Sequence, residues 1–256
     1  MTTYMKFSSF SNTQDSFDHS LQTLNLLYEY DDFMESVGTV ADLGCGQSGS
    51  VLEWWATRTT RGEEQIPLDI QCTGFDQVDK LKVKHKNISY QKQNIELLDS
   101  SKKKYDVLWC HDTFQYLLNP LGCLKNWRNI ANNDSMLILS IPQTTNIRFN
   151  QQEFNVPSGQ YYHFTLTNLI YMLAVNGWDC KNGFFRIDHE DQWIHAIVYK
   201  SDQEPMDPTT TSWYDLVEKS LLPDSADESI NKYGYPRQPD LVLPWLDKSL
   251  TWMAQL

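Results

Sequence analysis

Asp42, Asp76 and Asn94 are the polar residues whose placement most suggests chemistry. Each lies at or near the end of a stretch that reads as a strand between turn residues: "TVADLGC" (39–45), "IQCTGFD" (70–76) and "NISYQKQN" (87–94). Asp42 is followed by Gly44, Gly46 and Gly49, in the G-x-G-x-x-G spacing usually taken as a dinucleotide turn. A pyrophosphate laid over such a turn is doubly negative. The carboxylate of Asp42 would repel it, at about 4 kcal/mol for unit charges about 4 Å apart in an effective dielectric of about 20. A cationic ligand would be attracted to the same place.

The elements that must position these residues alternate. After an irregular, aromatic-dotted arm (1–15), Phe17, Leu21, Leu24 and Tyr28 recur at helical spacing, closed by Gly38. A helix over 48–59 follows the glycine turn, with Ser48 or Ser50 near its start. The run "YDVLWCHD" (105–112) reads as a strand covered on both faces. Asn119 caps a helix over 119–133 with Pro120 at its first position. A fifth strand (135–142), a helix ending at Gly177 and an antiparallel pair (178–188 and 192–200) complete the pattern. Strands alternating with helices predict an α/β fold, a mostly parallel seven-stranded Rossmann-like sheet with helices on both faces and a closing antiparallel hairpin. About ten residues separate Asp76 from the third strand, so the helix of that crossover is short or absent. The expected division is an arm and leading helix (1–38), a sheet domain (39–200) and a helical C-terminal extension (201–256). The extension is rich in proline and tryptophan, and "WYDLVEKSLL" (213–222) and "LPWLDKSLTWMAQL" (243–256) read as amphipathic helices. It acts either as a lid or as a packing element. If strands one and four are neighbours, the glycine turn and "CHDT" (110–113) line one crevice at the carboxyl edge of the sheet.

Three readings of the turn compete: a dinucleotide site, an S-adenosylmethionine (SAM) site and a structural turn. SAM carries no phosphate and presents a sulfonium and an ammonium, which suit Asp42. "VADLGCGQSG" resembles the first motif of the class I SAM-dependent methyltransferases, hydrophobic-x-D-x-G-x-G-x-G, with the third glycine one residue late. The likeness extends over about residues 18–200 and is nearest to the small-molecule branch. It implies a site in which Asp42, Gly44, Cys45, Gly46 and Ser48 form the cofactor turn and Asp76, with Gln77, grips the ribose. Asn94 would meet the adenine amino group, Ile95 would pack the ring, and Cys110 and His111 would contact the methionine end. "YHFTLTNLIYMLAVNGWD" resembles the H-x-F-T stretch before the last hairpin. The chain departs from the family at Tyr116, where a histidine is usual, and before strand five, where K-P-G-G is missing. The implied cofactor is SAM, with S-adenosylhomocysteine (SAH) as product.

Methyl transfer is an in-line displacement, so the protein mainly positions the acceptor. A base is required only when the acceptor loses a proton. His111, Asp112 and His163 are the candidates, with Tyr161 and Tyr162 beside them. His111 could instead serve through its backbone alone, Asp112 could orient a neighbour, and His163 could bond the helix entry. The stretch [DNS]-P-P-[YFW] of amino-methylating nucleic-acid enzymes is replaced by "HDTF". The net charge of -12 disfavours broad nucleic-acid binding. The lysine runs at 80–86 and 102–104 read as solvated surface, or else as a patch for an anionic partner. A small-molecule acceptor is therefore expected. The alternatives are a SAM- or SAH-binding protein with little catalysis, and a methyltransferase acting on RNA or protein.

Five cysteines without C-x-x-C spacing imply neither a disulfide framework nor a zinc site, and no metal is expected. A reducing compartment fits them, and the N-terminus lacks the apolar core of a secretory signal. With no apolar run of about 18 residues, no membrane span is expected and the location reads as cytoplasmic.

Overall fold

In a computed structural model, residues 13–29, 31–60, 63–98, 103–143, 161–188 and 193–246 are described. Helices α1 (Thr13–Tyr28) and α2 (Asp31–Ser36) precede a seven-stranded sheet. Its strands are β1 (Thr39–Leu43), β2 (Gln71–Asp76), β3 (Ile88–Lys92), β4 (Tyr105–His111), β5 (Ala131–Pro142), β6 (Trp178–Asp188) and β7 (Trp193–Lys200). They lie in the order β3-β2-β1-β4-β5-β7-β6, with β7 antiparallel to both of its neighbours. The α/β fold with its antiparallel closure is the one the sequence predicts. β1 pairs with β4 through Val40–Val107, Ala41–Leu108 and Asp42–Trp109. Strand order reverses between these two strands, so their carboxyl ends form the switch-point crevice.

Each face of the sheet buries its own apolar layer. One holds Leu108, Cys110 and Leu139 against α4 (Pro120–Ile130) and α5 (Leu166–Val175), through Leu124, Trp127, Leu169 and Leu173. The other holds Val40, Trp109, Ile138 and Ile197 against Leu24 and Leu27 of α1 and Leu52 and Trp55 of α3 (Ser50–Ala56). The start of α4 is fixed by Asn119, whose side chain accepts the Gly122 N–H at 3.0 Å, with Pro120 opening the helix. The cap of α3 falls on Gly49, between the two serines expected there. β5 begins four residues earlier than the sequence suggests, because Ala131 already pairs with Tyr105 and an irregularity between Tyr105 and Val107 absorbs the extra residues.

The second crossover has no helix. Residues 77–87 run as a strap in which the Lys82 N–H donates to the Gln47 carbonyl at 2.8 Å. Leu81 and Val83 turn inward to Gly49, while Lys80, Lys82, Lys84 and Lys86 are exposed. Alternation of period two serves an extended strap and not a helix.

The C-terminal extension packs on the sheet domain. Helix α6 (Trp213–Glu218) forms within the first expected helical stretch. The second expectation is corrected. Residues 243–246 are not helical, and 247–256 lie outside the described residues. A helix instead occupies Asp224–Tyr233 (α7), where Ala226 and Ile230 share the buried side and Gly234 ends it in the left-handed conformation. Leu216, Leu221, Leu222, Ala226 and Ile230 join the α4–α5 layer. The chain then crosses the β6 edge, where the Phe185 N–H donates to the Pro244 carbonyl at 2.8 Å. Trp245 and Leu246 enter the opposite layer. The expected irregular arm falls on residues outside the described set up to 12, and α1 begins at Thr13.

Arg128 of α4 ties the start of this extension down. It is 6% exposed, and its Nη2 donates to the carbonyls of Ser201 and Gln203 at 2.7 and 2.6 Å. Arg128→Leu should therefore lower unfolding free energy by about 1–3 kcal/mol, because two half-buried carbonyls lose a charged donor. Urea denaturation reads this directly. An unchanged midpoint would show that apolar packing alone holds residues 201–246.

Candidate functional site

The crevice is built from the loop after β1, the end of β2 and the loop after β4. The three loop glycines all have positive φ, 89° at Gly44, 61° at Gly46 and 66° at Gly49, a region costly for other residues. Their surroundings differ. A Cβ on Gly44 would run into Thr113 at the end of β4, and one on Gly49 would meet Leu81 and Val83 of the strap. A Cβ on Gly46 would find nothing within 4 Å. Gly44 and Gly49 thus answer to packing, while Gly46 borders open space.

The loop is held to β2. The Gly44 and Cys45 N–H groups donate to the Phe75 carbonyl at 2.8 and 3.3 Å. The Gly46 N–H donates to Asp76 Oδ2 at 2.8 Å. Asp76 Oδ1 accepts from the Gln77 and Val78 N–H groups at 2.6 and 3.1 Å. Three successive loop N–H groups are thereby bonded within the protein. A pyrophosphate needs such groups free, so the geometry joins the charge of Asp42 in disfavouring a dinucleotide.

Asp42 is 3% exposed. Burial, and then the neighbouring charge of Asp76, hold its carboxyl well above the usual carboxylate range. Burial likewise raises the thiols of Cys45 and Cys110, which remain protonated and unreactive. Cys45 lies against the loop, with Sγ 3.5 Å from the Gly46 carbonyl. Cys110 is buried in the α4–α5 layer, on the opposite face from Trp109. Ser48 is half-buried in the loop and Gln77 is exposed beside Asp76. Asn94 Oδ1 accepts the Glu96 N–H at 3.0 Å and caps a single turn at Ile95–Leu97. Ile95 belongs to the core, and its carbonyl accepts the Trp127 indole N–H at 2.9 Å.

Across the crevice, His111 is 8% exposed and its ring stacks on Trp193, with centroids 5.2 Å apart and planes 12° apart. Asp112 has a positive φ of 49°, and its N–H donates to the Ser140 carbonyl at 2.9 Å. Thr113, packed on Gly44, links the two loops. His163 is exposed, on a segment whose Tyr161 and Tyr162 N–H groups donate to the Gln115 carbonyl at 3.0 and 3.3 Å. The structure therefore gathers Asp42, the loop and Asp76 on one side, and His111 and Asp112 on the other. His163 is attached through Gln115.

Sequence reasoning missed Gln115, Ser140, Trp193 and His195. Strand register aligns His111 with Ser140, Ser140 with His195 and His195 with Arg186, a polar row across four strands. Ser140 Oγ lies 2.9 Å from His195 Nδ1. No motif surrounds His195, and only the pairing of β7 between β5 and β6 could have placed it. Among the described residues, no group of three metal-binding side chains is placed to hold an ion. No helix among them is long and apolar enough to cross a membrane.

Residues 41–139 match a family model described as a methyltransferase domain. The chain has the fold of solved methyltransferases. The plantazolicin methyltransferase BpumL in complex with SAH shares 18% identity over 76% of this chain and 92% of its own, with a TM-score of 0.54. A chain from the complex of the Haloferax volcanii Trm112 methyltransferase activator with its partner shares 12%, over 73% of this chain and 95% of its own, with a TM-score of 0.54. The N-methyltransferase NodS of Bradyrhizobium japonicum shares 11%, over 75% and 99%, with a TM-score of 0.51. No curated protein matches the sequence. The cofactor implied by the matched methyltransferase domain is SAM, and the open face at Gly46 beside the Asp76 carboxylate fits a phosphate-free ligand.

Gly46→Ala separates binding from folding. The added methyl meets no atom of the described residues, and the left-handed backbone costs about 1–2 kcal/mol. The variant should fold, with SAH affinity reduced at least about tenfold by the methyl in the ligand's space. Calorimetry showing unchanged SAH affinity would mean that the cofactor does not lie against Gly46.

Proposed function

We propose that this chain transfers a methyl group from SAM to a small-molecule acceptor. The observation that carries the reading is the open face at Gly46, bordered by Asp76 and preceded by the buried Asp42. SAM supplies a methyl group activated by its sulfonium. Asp76 would accept from the ribose hydroxyls, exchanging or sharing the bond it makes to Gly46. The Asn94 amide would read the adenine edge, and Asp42 would favour the cation electrostatically. Gly44 and Gly49 shape the loop through their packing against Thr113 and against Leu81 and Val83.

The acceptor would enter from the β4 side, where His111 and Asp112 face it. Trp193 fixes the imidazole plane by stacking, so His111 is oriented to take a proton from an acceptor that must lose one. Protonated, buried thiols offer no competing nucleophile. The "HDTF" stretch and the net charge of -12 support a small molecule over nucleic acid.

A thermal shift distinguishes the ligand classes. SAH at roughly a hundredfold above its Kd should raise Tm by roughly 5–10 °C. NAD at the same concentration should leave it unchanged. Stabilisation by NAD and not by SAH would overturn the assignment.

A further inference from the structure

Gln115 follows β4, is fully buried, and belongs to none of the expected site residues. Its Nε2 donates to Asp112 Oδ1 at 2.6 Å, while its Oε1 is buried with no hydrogen-bond partner among the described residues. Rotating the amide would set Oε1 against the Asp112 carboxylate, so the donor contact dictates the orientation. An unsatisfied buried carbonyl is costly, and a non-glycine residue at positive φ such as Asp112 is strained. Both costs fall at one place, at the carboxyl end of β4, beside the loop that meets Gly44. The Gln115 carbonyl also accepts the Tyr161 and Tyr162 N–H groups, so the segment carrying His163 is fastened to the same residue. The Tyr162 hydroxyl donates to the Leu118 carbonyl at 3.0 Å and supports that attachment.

We propose that Gln115 is a positioning residue for the transfer reaction, fixing the Asp112 carboxylate through its amide and the 161–164 segment through its carbonyl. Because Gln115 is buried, it acts through Asp112 and not by touching the acceptor. This rests on the reading of the crevice as a methyl-transfer site. An apolar replacement removes the side-chain contact but leaves the backbone attachment, so the effect should appear in turnover and not in cofactor affinity.

The test combines NMR of isotope-labelled protein with turnover, using SAH as the ligand and radiolabelled SAM with a low-molecular-mass metabolite extract. In the wild type, the Gln115 side-chain amide should show one proton shifted downfield and protected from exchange. Asp112→Asn should return it to an ordinary position. Gln115→Leu should bind SAH within about twofold of wild type and transfer label at least about tenfold more slowly. In the Asp112→Asn background it should add no further loss. Gln115→Glu, of the same shape, guards against a folding defect in the leucine variant and should also lose rate, because two carboxyls would face each other. An amide signal unmoved by Asp112→Asn, or additive losses in the double variant, would overturn the proposal. If the wild type transfers no label, the functional reading fails, and the amide signal still decides whether Gln115 holds Asp112.

Discussion

Asp76→Ala should weaken SAH binding by about 100-fold, since loss of one or two hydrogen bonds to a charged acceptor is worth about 3 kcal/mol. Read from sequence alone, a strand-end aspartate is dispensable for folding. The structure gives it a second duty. Its two oxygens accept from Gly46, Gln77 and Val78 N–H groups and thereby hold the glycine loop to β2. Asp76→Ala should therefore also lower Tm by several degrees, roughly as for a loss of 1–2 kcal/mol. Asp76→Asn retains an acceptor on one side and should recover much of the stability while binding poorly. Calorimetry and thermal unfolding on both variants separate the two effects. Unchanged SAH affinity in Asp76→Ala would mean that β2 does not carry the ribose site.

Asp42→Asn should stabilise the ligand-free protein near neutral pH and weaken SAM more than SAH. Burial, then the charge of Asp76, raises the folded-state pKa of Asp42. The unfolded value is about 3.9. Between that value and the raised one, the folded state holds the proton that the unfolded state has released. Stability is thus fully present below about pH 4 and is lost as pH rises toward the folded-state value. The amide abolishes this slope and should be the more stable protein at pH 7. SAM bears a positive sulfur and SAH does not, so only SAM would draw the proton off Asp42, and the amide, which cannot ionise, should cost SAM about tenfold in affinity and SAH less. Unfolding at several pH values, with titrations of both ligands, reads the trade. Parallel stability curves for wild type and variant would show that Asp42 is not strained by burial.

The glycine-loop side of the crevice was largely legible because its signals are local. Asp42, Gly44, Gly46 and Gly49 fall within eight residues of one another, and Asp76 and Asn94 mark the ends of the next two strands. Positive φ and tight turns leave a compositional mark. Even there, sequence could not tell that Gly44 answers to Thr113 and Gly49 to Leu81, contacts made across the fold. The β4 side was less legible. His111, Ser140 and His195 meet only through strand register, and Gln115 is significant only because Asp112 turns back to it. In the extension, the tryptophans at 245 and 252 drew attention to residues 243–256, whereas the helix forms over the polar-looking "DSADESINKY". Two buried apolar positions, Ala226 and Ile230, suffice once the α4–α5 layer receives them.

The most direct measurement is the fate of a radiolabelled methyl group after incubation of SAM, the protein and a cell extract separated into low-mass, RNA and protein fractions. The account predicts label in a low-mass product, formation of SAH in equal amount, and loss of both with Asp76→Ala. Label confined to RNA or protein would contradict the small-molecule assignment. No SAH formed from any fraction would contradict methyl transfer itself.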